Sequence, residues 1–128
     1  MDRDEIVRID EAITDAIGAG DLGAFDALMS PELAADFKKG IGEIREAFPD
    51  YACTEAHRVV EGDRLAVRFD YQGTHQGEWF GVPATGQKVT FRGMSLDRFE
   101  DGVLVDTDLV MDWLDVLEQL GGYPKTTG

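Results

Sequence analysis

The period of the apolar residues changes once along the chain, near Asp50. Before that point, apolar side chains recur at spacings of three and four residues, as they do on one face of an amphipathic helix. After it, Val, Thr, Phe and Tyr dominate, and turn residues follow at 61–63 (EGD) and 100–102 (EDG). Helices followed by an antiparallel meander predict an α+β fold, with the N-terminal helices packed on one face of a curved sheet.

The helical half contains three predicted segments. The first ends at Gly18 or Gly20, and its acidic residues are expected to fill the face opposite a stripe of isoleucines. The stripe consists of Ile6, Ile9, Ile13 and Ile17. A short second helix carries Phe25, and a third begins at Pro31 and continues to Pro49.

The second half contains four predicted strands and a last helix. The strands cover residues 52–61, 64–74, 87–99 and 103–112, and the loop 75–86 separates the second strand from the third. The last helix covers 113–120 and ends at two glycines. With 128 residues, 43% of them hydrophobic, we expect one globular domain over residues 1–122 and a flexible tail over 123–128.

Charge and cysteine content exclude several classes of function. The net charge of −14 disfavours binding to nucleic acid or to anionic membrane surfaces. Cys53 is the only cysteine, so no internal disulfide and no cysteine-rich metal site is possible. The acidic N-terminus does not resemble a signal peptide, and no apolar run reaches membrane-spanning length, so a cytoplasmic location is expected.

The last predicted strand, LVDTDLVMD (104–112), contains three aspartates. Asp106, Asp108 and Asp112 share a parity with Leu104 and Val110, which predicts that they lie on one face. Aspartate is a poor strand former, and several carboxylates on one face repel each other. We therefore expect this face either to line a cavity or to meet solvent. A carboxylate in an apolar pocket has a raised pKa and can act as a general acid or base.

Several short segments together resemble the SnoaL-like polyketide cyclase family. They are FPD (48–50), EGDR (61–64), GTHQGE (73–78), GVPATG (81–86), RFEDG (98–102), Asp112 and LEQLG (117–121). The resemblance spans residues 47–121 and implies an NTF2-like cone, in which a bent antiparallel sheet wraps around helices and encloses a deep apolar pocket. It also implies a homodimer formed through the convex face of the sheet and cofactor-free chemistry, in which an aspartate closes a ring by an intramolecular aldol reaction.

Two aspartates are the candidate catalytic residues. Asp112 matches the family's aspartate four residues beyond a strand tryptophan, and Asp108 occupies the position of that tryptophan. We favour Asp108 because it is nearer the middle of the strand. Alternatively, Asp108 is a solvated residue on the outer face, and Asp112 caps the final helix.

The candidate substrate-binding residues are His75, Trp79, Phe80, Tyr51, Tyr71 and Arg98. His75 can also be a structural hydrogen-bonding residue, and Trp79 with Phe80 can form either an aromatic lid or a buried loop anchor. Arg98 can instead hold a strand pair together. The chain contains only two histidines, and neither has a metal-ligand spacing, so we predict no metal and no cofactor.

The resemblance, together with these candidate residues, implies a cofactor-independent cyclase that acts on a small apolar, polyketide-like substrate. Two carboxylates in one pocket would also suit an epoxide hydrolase, a hydratase or an isomerase on the same fold. A third possibility is a non-catalytic ligand-binding or dimerisation module. An enzyme requires an apolar pocket with an inward carboxylate, whereas an interaction module should have a filled cone and an exposed apolar patch.

Overall fold

The computed structural model describes residues 1–122, and the predicted tail at 123–128 lies outside the described residues. The elements in chain order are α1 (Arg3–Ala19), a 3-10 turn (Leu22–Ala24), α2 (Phe25–Leu28), α3 (Pro31–Ala47), β1 (Ala52–Glu61), β2 (Arg64–Thr74), β3 (Lys88–Glu100), β4 (Val103–Met111) and α4 (Trp113–Leu120). The predicted α+β architecture is confirmed, and every predicted strand boundary lies within one residue of the observed one.

The helices bury one apolar stripe each. Asp2 caps α1 by accepting a hydrogen bond from the Glu5 N–H at 2.9 Å, and α1 ends at Gly20 in the left-handed conformation. All four isoleucines of the stripe are buried. Asp10 lies in the same stripe, so the expectation that acidic residues occupy only the opposite face is wrong at this position. Among residues 1–122, no helix is both long enough and apolar enough to cross a membrane.

The four strands form one antiparallel sheet in the order β1-β2-β3-β4. Side chains alternate regularly along β3, where Val89, Phe91, Ser95, Asp97 and Phe99 are buried and their neighbours face outward. The inner face packs against the helices, and the two together form the hydrophobic core.

One extra residue in β4 reverses its alternation. Arg98 of β3 lies opposite Asp106, whereas the next residue, Phe99, lies opposite Leu104, so Val105 forms a β-bulge. Leu104 is buried on the inner face. Beyond the bulge the inner positions belong to Thr107, Leu109 and Met111, and the outer positions to Asp106, Asp108 and Val110.

The outer face of the sheet carries an exposed apolar patch. We call it the outer patch, and its members come from three strands: Val59, Met94, Leu96 and Val110. Apolar side chains grouped in this way on one exposed face are typical of an interaction surface.

Candidate active site

A cavity of about 50 Å³ lies between the inner face of the sheet and helices α1 and α3. Most of its wall is apolar, and the apolar members are Ile13, Ile17, Phe37, Ile41, Cys53, Phe69, Leu104, Leu109 and Met111. The polar members are Asp10, Thr14, Tyr51, Tyr71, Ser95, Asp97 and Thr107. The cavity therefore places two carboxyl groups inside apolar surroundings.

Asp97 of β3 is 6% exposed and holds both carboxylate oxygens in hydrogen bonds. Thr107 donates its hydroxyl to Oδ1 at 2.5 Å, and Ser95 donates its hydroxyl to Oδ2 at 3.3 Å. Burial raises the pKa of Asp97 to about 6, because loss of solvation disfavours the charged form. The two hydroxyls oppose this shift, while the negative charges of Glu55 and Asp106 add to it. Asp97 is thus an ionised, buried carboxylate at neutral pH.

Asp10 of α1 is the second carboxyl group of the cavity and is 3% exposed. Its Oδ2 atom is buried without a hydrogen-bond donor and lies 3.7 Å from the Nε atom of Arg58. Burial raises the pKa of Asp10 well above its ordinary value, and Glu55 raises it further through a hydrogen bond and through its charge. Arg58 lowers it, but by less.

Arg58 of β1 is bound mainly to Glu55 rather than to Asp10. Its Nε atom donates to Glu55 Oε2 at 2.9 Å, and a second guanidinium nitrogen donates to the same oxygen. That second nitrogen also contacts Glu11 Oε1 at 3.2 Å, near the protein surface. The other oxygen of Glu55, Oε1, is buried without a donor. Arg58 therefore neutralises Glu55 and leaves Asp10 with the less favourable environment for a negative charge.

Tyr51 and Tyr71, two of the predicted substrate-binding residues, both line the cavity. Their rings are stacked, with centroids 5.9 Å apart and an interplanar angle of 4°. Burial raises the pKa of both hydroxyls, so both remain protonated and able to donate a hydrogen bond. The ring of Tyr71 lies directly over Gly93, where an added Cβ would be 2.6 Å from its Cε2 atom. Only glycine at this position allows the observed placement of Tyr71.

The expectation that Asp108 and Asp112 line the pocket is wrong. The bulge at Val105 places Asp108 on the exposed outer face, opposite Leu96 of β3. Asp112 lies beyond the end of β4 and caps α4, where its Oδ1 atom accepts a hydrogen bond from the Asp115 N–H at 3.1 Å. The alternatives stated for these two residues, a solvated carboxylate and a helix cap, describe their positions.

The loop between β2 and β3 contributes packing rather than cavity wall. His75 is fully buried, and its Nδ1 atom accepts a hydrogen bond from the Thr85 N–H at 3.2 Å. Trp79 packs against Phe48, with ring centroids 5.7 Å apart, and Phe80 is 65% exposed beside it. None of the three predicted binding residues of this loop lines the cavity. Trp79 is a partly buried anchor that packs against the core, and Phe80 does not cover the cavity.

Arg98 also lies away from the cavity. It is on the outer face of β3, forms an ion pair with Glu100 at 3.2 Å and stands opposite Asp106 of β4. Its ion pair lies within β3, so the alternative in which it holds a strand pair together stays a prediction. As a partly exposed pair, its contribution to stability is small.

Two cavity residues, Asp97 and Asp10, are absent from the sequence-based candidates although both had a signal. Asp97 shares its parity with Phe91 and Phe99, which predicts an inward carboxylate between two core aromatics. Asp10 follows Ile6 by four residues and precedes Ile13 by three, which places it in the buried stripe of α1. In both cases the period of the element gave the orientation directly.

Comparison with known proteins assigns the family. The family model of the SnoaL-like polyketide cyclases matches residues 8–120. The chain belongs to this family. A search of curated proteins gives no match. Solved structures support the same fold. TsrD from Streptomyces laurentii is 25% identical, with a TM-score of 0.89, over 96% of this chain and 99% of that one.

Two further structures are similar over most of their length. AclR from Streptomyces galilaeus, a proposed hydroxylase, is 29% identical with a TM-score of 0.88, over 98% of this chain and 86% of its own. IdmH from Streptomyces antibioticus, a proposed polyketide cyclase, is 24% identical with a TM-score of 0.82, over 91% of this chain and 98% of its own.

Within residues 1–122 of the SnoaL-like chain, no group of three His, Cys, Asp or Glu side chains is arranged to hold a metal ion.

Proposed function

We propose that this SnoaL-like protein is a cofactor-independent cyclase that closes a ring within a polyketide-like substrate, and that Asp97 is its general base. One observation supports this proposal above the others. Asp97 is a buried carboxylate in an apolar cavity, and its pKa of about 6 keeps it ionised at neutral pH while making it more basic than an ordinary aspartate. A base with a pKa near the working pH transfers protons efficiently.

The reaction needs a base and donors for the developing oxyanion. The Asp97 carboxylate removes a proton from a carbon activated by two neighbouring carbonyl groups. The resulting carbanion attacks a ketone of the same molecule, so a C–C bond forms and the ketone oxygen becomes an alkoxide. That oxygen takes up a proton, and the product is an isomer of the substrate. Tyr51 and Tyr71, both protonated, can donate hydrogen bonds to the alkoxide.

The size of the cavity sets a condition on binding. Ligand pockets usually measure roughly 300–1,000 Å³, whereas this cavity measures about 50 Å³. Three apolar wall residues that are not fully buried, Phe37, Leu109 and Met111, lie on α3 and β4. A substrate must displace these side chains to reach Asp97, and the flexible side chain of Met111 can adapt its shape readily.

The test compares Asp97→Asn with Asp108→Asn on one substrate probe. The probe is a synthetic aromatic β-keto ester that carries a second ketone placed for six-membered ring closure. We expect Asp97→Asn to lose ~10²–10⁴ in the rate of closure, the usual effect of removing a general acid or base. Asp108→Asn should match the wild type, because its carboxylate lies on the outer face. Full activity in Asp97→Asn would refute the assignment.

A second candidate is a non-catalytic interaction module, and two observations favour it. The cavity is small, and the outer patch exposes Val59, Met94, Leu96 and Val110. We propose that the outer patch forms a homodimer in either case. Absence of any enzyme-dependent reaction with the probe would support the module, whereas the dimer is expected for both functions.

A further inference from the structure

Asp10 faces the same cavity as Asp97 but from the helical side. Asp97 projects from β3, while Asp10 projects from α1, and both are more than nine-tenths buried. The two carboxyl groups differ in their surroundings. Asp97 accepts hydrogen bonds from two hydroxyls, whereas the Oδ2 atom of Asp10 is buried without any donor. Hydrogen-bond donors favour an ionised carboxylate, and their absence favours the protonated form.

We propose that Asp10 is the general acid of this site and that it donates its proton to the alkoxide formed when Asp97 acts as base. This inference rests on the proposed function, because it assigns the second proton transfer of that reaction. Two carboxyl groups in one site with different protonation states are the usual arrangement for paired acid and base catalysis. It also explains why a carboxyl group is buried here, although its one ion-pair contact, with Arg58 at 3.7 Å, is shared with Glu55 and Glu11.

Charged and titratable groups from three elements face Asp10 and decide which carboxyl group keeps the proton. They are Glu55, Arg58 and Cys53 from β1, Asp97 from β3, and Glu11 from its own helix through Arg58. Arg58 gives two hydrogen bonds to Glu55 and only a 3.7 Å contact to Asp10. The guanidinium therefore pairs with Glu55 more closely than with Asp10. Two buried oxygens, Asp10 Oδ2 and Glu55 Oε1, have no donor from elsewhere, so the Asp10 proton satisfies both when it lies between them.

All protons transferred in one turnover come from, and return to, groups within the site. Asp97 gains the proton of the substrate C–H bond, and the alkoxide gains the proton of Asp10. The product is released with Asp97 protonated and Asp10 ionised. A proton then passes from Asp97 to Asp10, directly or through a water molecule. A water molecule takes ~30 Å³ of liquid volume, and the cavity of about 50 Å³ has room for one.

Two probes separate the acid step from the base step. The first is the closing β-keto ester described above. The second is the same molecule without the acceptor ketone, which can exchange its activated C–H for deuterium in D₂O but can form no alkoxide. Asp10→Asn should lose ~10²–10⁴ in ring closure and keep deuterium exchange of the second probe within about threefold of the wild type. Asp97→Asn should lose both. The matched control is Asp15→Asn, which makes the same substitution at an exposed position of the same helix.

The outcomes distinguish failure of this inference from failure of the proposed function. If Asp97→Asn retains deuterium exchange, the assignment of the base is wrong. If Asp97→Asn loses exchange while Asp10→Asn closes the ring at the wild-type rate, only the role of Asp10 is wrong. Equal losses of exchange and closure in Asp10→Asn would also overturn it, since they would indicate damage to the base or to the fold.

Two further measurements check the protonation states of the two carboxyl groups, and the first needs no substrate. Carboxyl carbon NMR of the wild type at pH 7 should show Asp10 protonated and Asp97 ionised. The pH dependence of ring closure should rise with the titration of Asp97 and fall at alkaline pH as Asp10 loses its proton, and Asp10→Asn should lack the alkaline fall. An ionised Asp10 at pH 7 would refute the proposal.

Discussion

Two neighbouring strands, β3 and β4, each carry an aspartate, and the two side chains lie on opposite sides of the sheet. Asp97 of β3 is buried, accepts two hydroxyl hydrogen bonds and has a raised pKa. Asp108 of β4 is exposed and stands opposite Leu96 on the outer face. This difference arises from one extra residue in β4, Val105, which forms the bulge. The chemical role open to a strand carboxylate is therefore decided by register as much as by residue type.

The largest expected contrast between the two faces is in stability. Phe91 is 4% exposed, and its ring stacks on Tyr71 at 5.0 Å and packs against Trp113 at 4.8 Å. Phe91→Ala should lower the free energy of unfolding by ~3–5 kcal/mol through lost burial and a residual cavity. Met94→Ala, three residues away on the outer face and 58% exposed, should change it by less than ~0.5 kcal/mol in the monomer. Urea denaturation measures both, and equal losses would contradict the assignment of the faces.

A smaller contrast lies in the pH dependence of stability. The pKa of Asp97 rises from 3.8 to about 6 on folding, so the folded state binds this proton more tightly than the unfolded chain. The wild type should therefore lose stability as the pH rises from 4 through 6. Asp97→Asn removes this loss, so its stability relative to the wild type should increase across that range by about 2–3 kcal/mol, at ~1.4 kcal/mol per unit of pKa change.

The matched variant for this measurement is Asp108→Asn. Its carboxylate is exposed on the outer face, so this variant makes the same chemical change without altering a buried group. Denaturation series at several pH values test both variants. A pH-independent difference for Asp97→Asn would mean that Asp97 is solvated in solution.

The smallest expected effect on stability is that of a substitution in the outer patch, which should instead change the oligomeric state. We expect a homodimer at micromolar concentration, and we expect Val110→Lys to convert it to a monomer by placing a charge in the apolar interface. The stability of the monomer should change by less than ~0.5 kcal/mol, because Val110 is already exposed. Sedimentation velocity measures the mass, and Lys39→Ala, an exposed change on α3, is the control. A monomeric wild type would refute the dimer.

The helices and strands were predictable because their signals are local. Spacings of three and four residues marked the isoleucine stripe of α1. The turns at 61–63 and 100–102 marked where one strand of each hairpin ends and the next begins. The same logic extended to β3, whose alternation is unbroken from Lys88 to Glu100. Where the element is regular, period alone gives the face of each residue.

The face of Asp108 was not predictable in this way. The bulge in β4 is defined by which residues of β3 lie opposite Leu104 and Asp106, and this pairing between strands leaves no trace in the period of β4 alone. Asp10 illustrates a different limit. Its residue type favours solvent, but its place between Ile6 and Ile13 requires burial, and position prevailed over type. A polar residue in a buried stripe is therefore a candidate functional residue, even though its residue type is usually found at the surface.

The bulge at Val105 also has a consequence for insertions and deletions in this strand. Removing one residue from a regular strand moves every later side chain to the other face. In β4 the neighbours of Val105 already face opposite sides, with Leu104 inward and Asp106 outward, as adjacent residues of a regular strand do. A chain that lost Val105 would therefore keep each side chain on its present face. Related sequences can differ in length by one residue here while preserving the same inner wall, and an alignment without a gap at this point would exchange inner for outer residues.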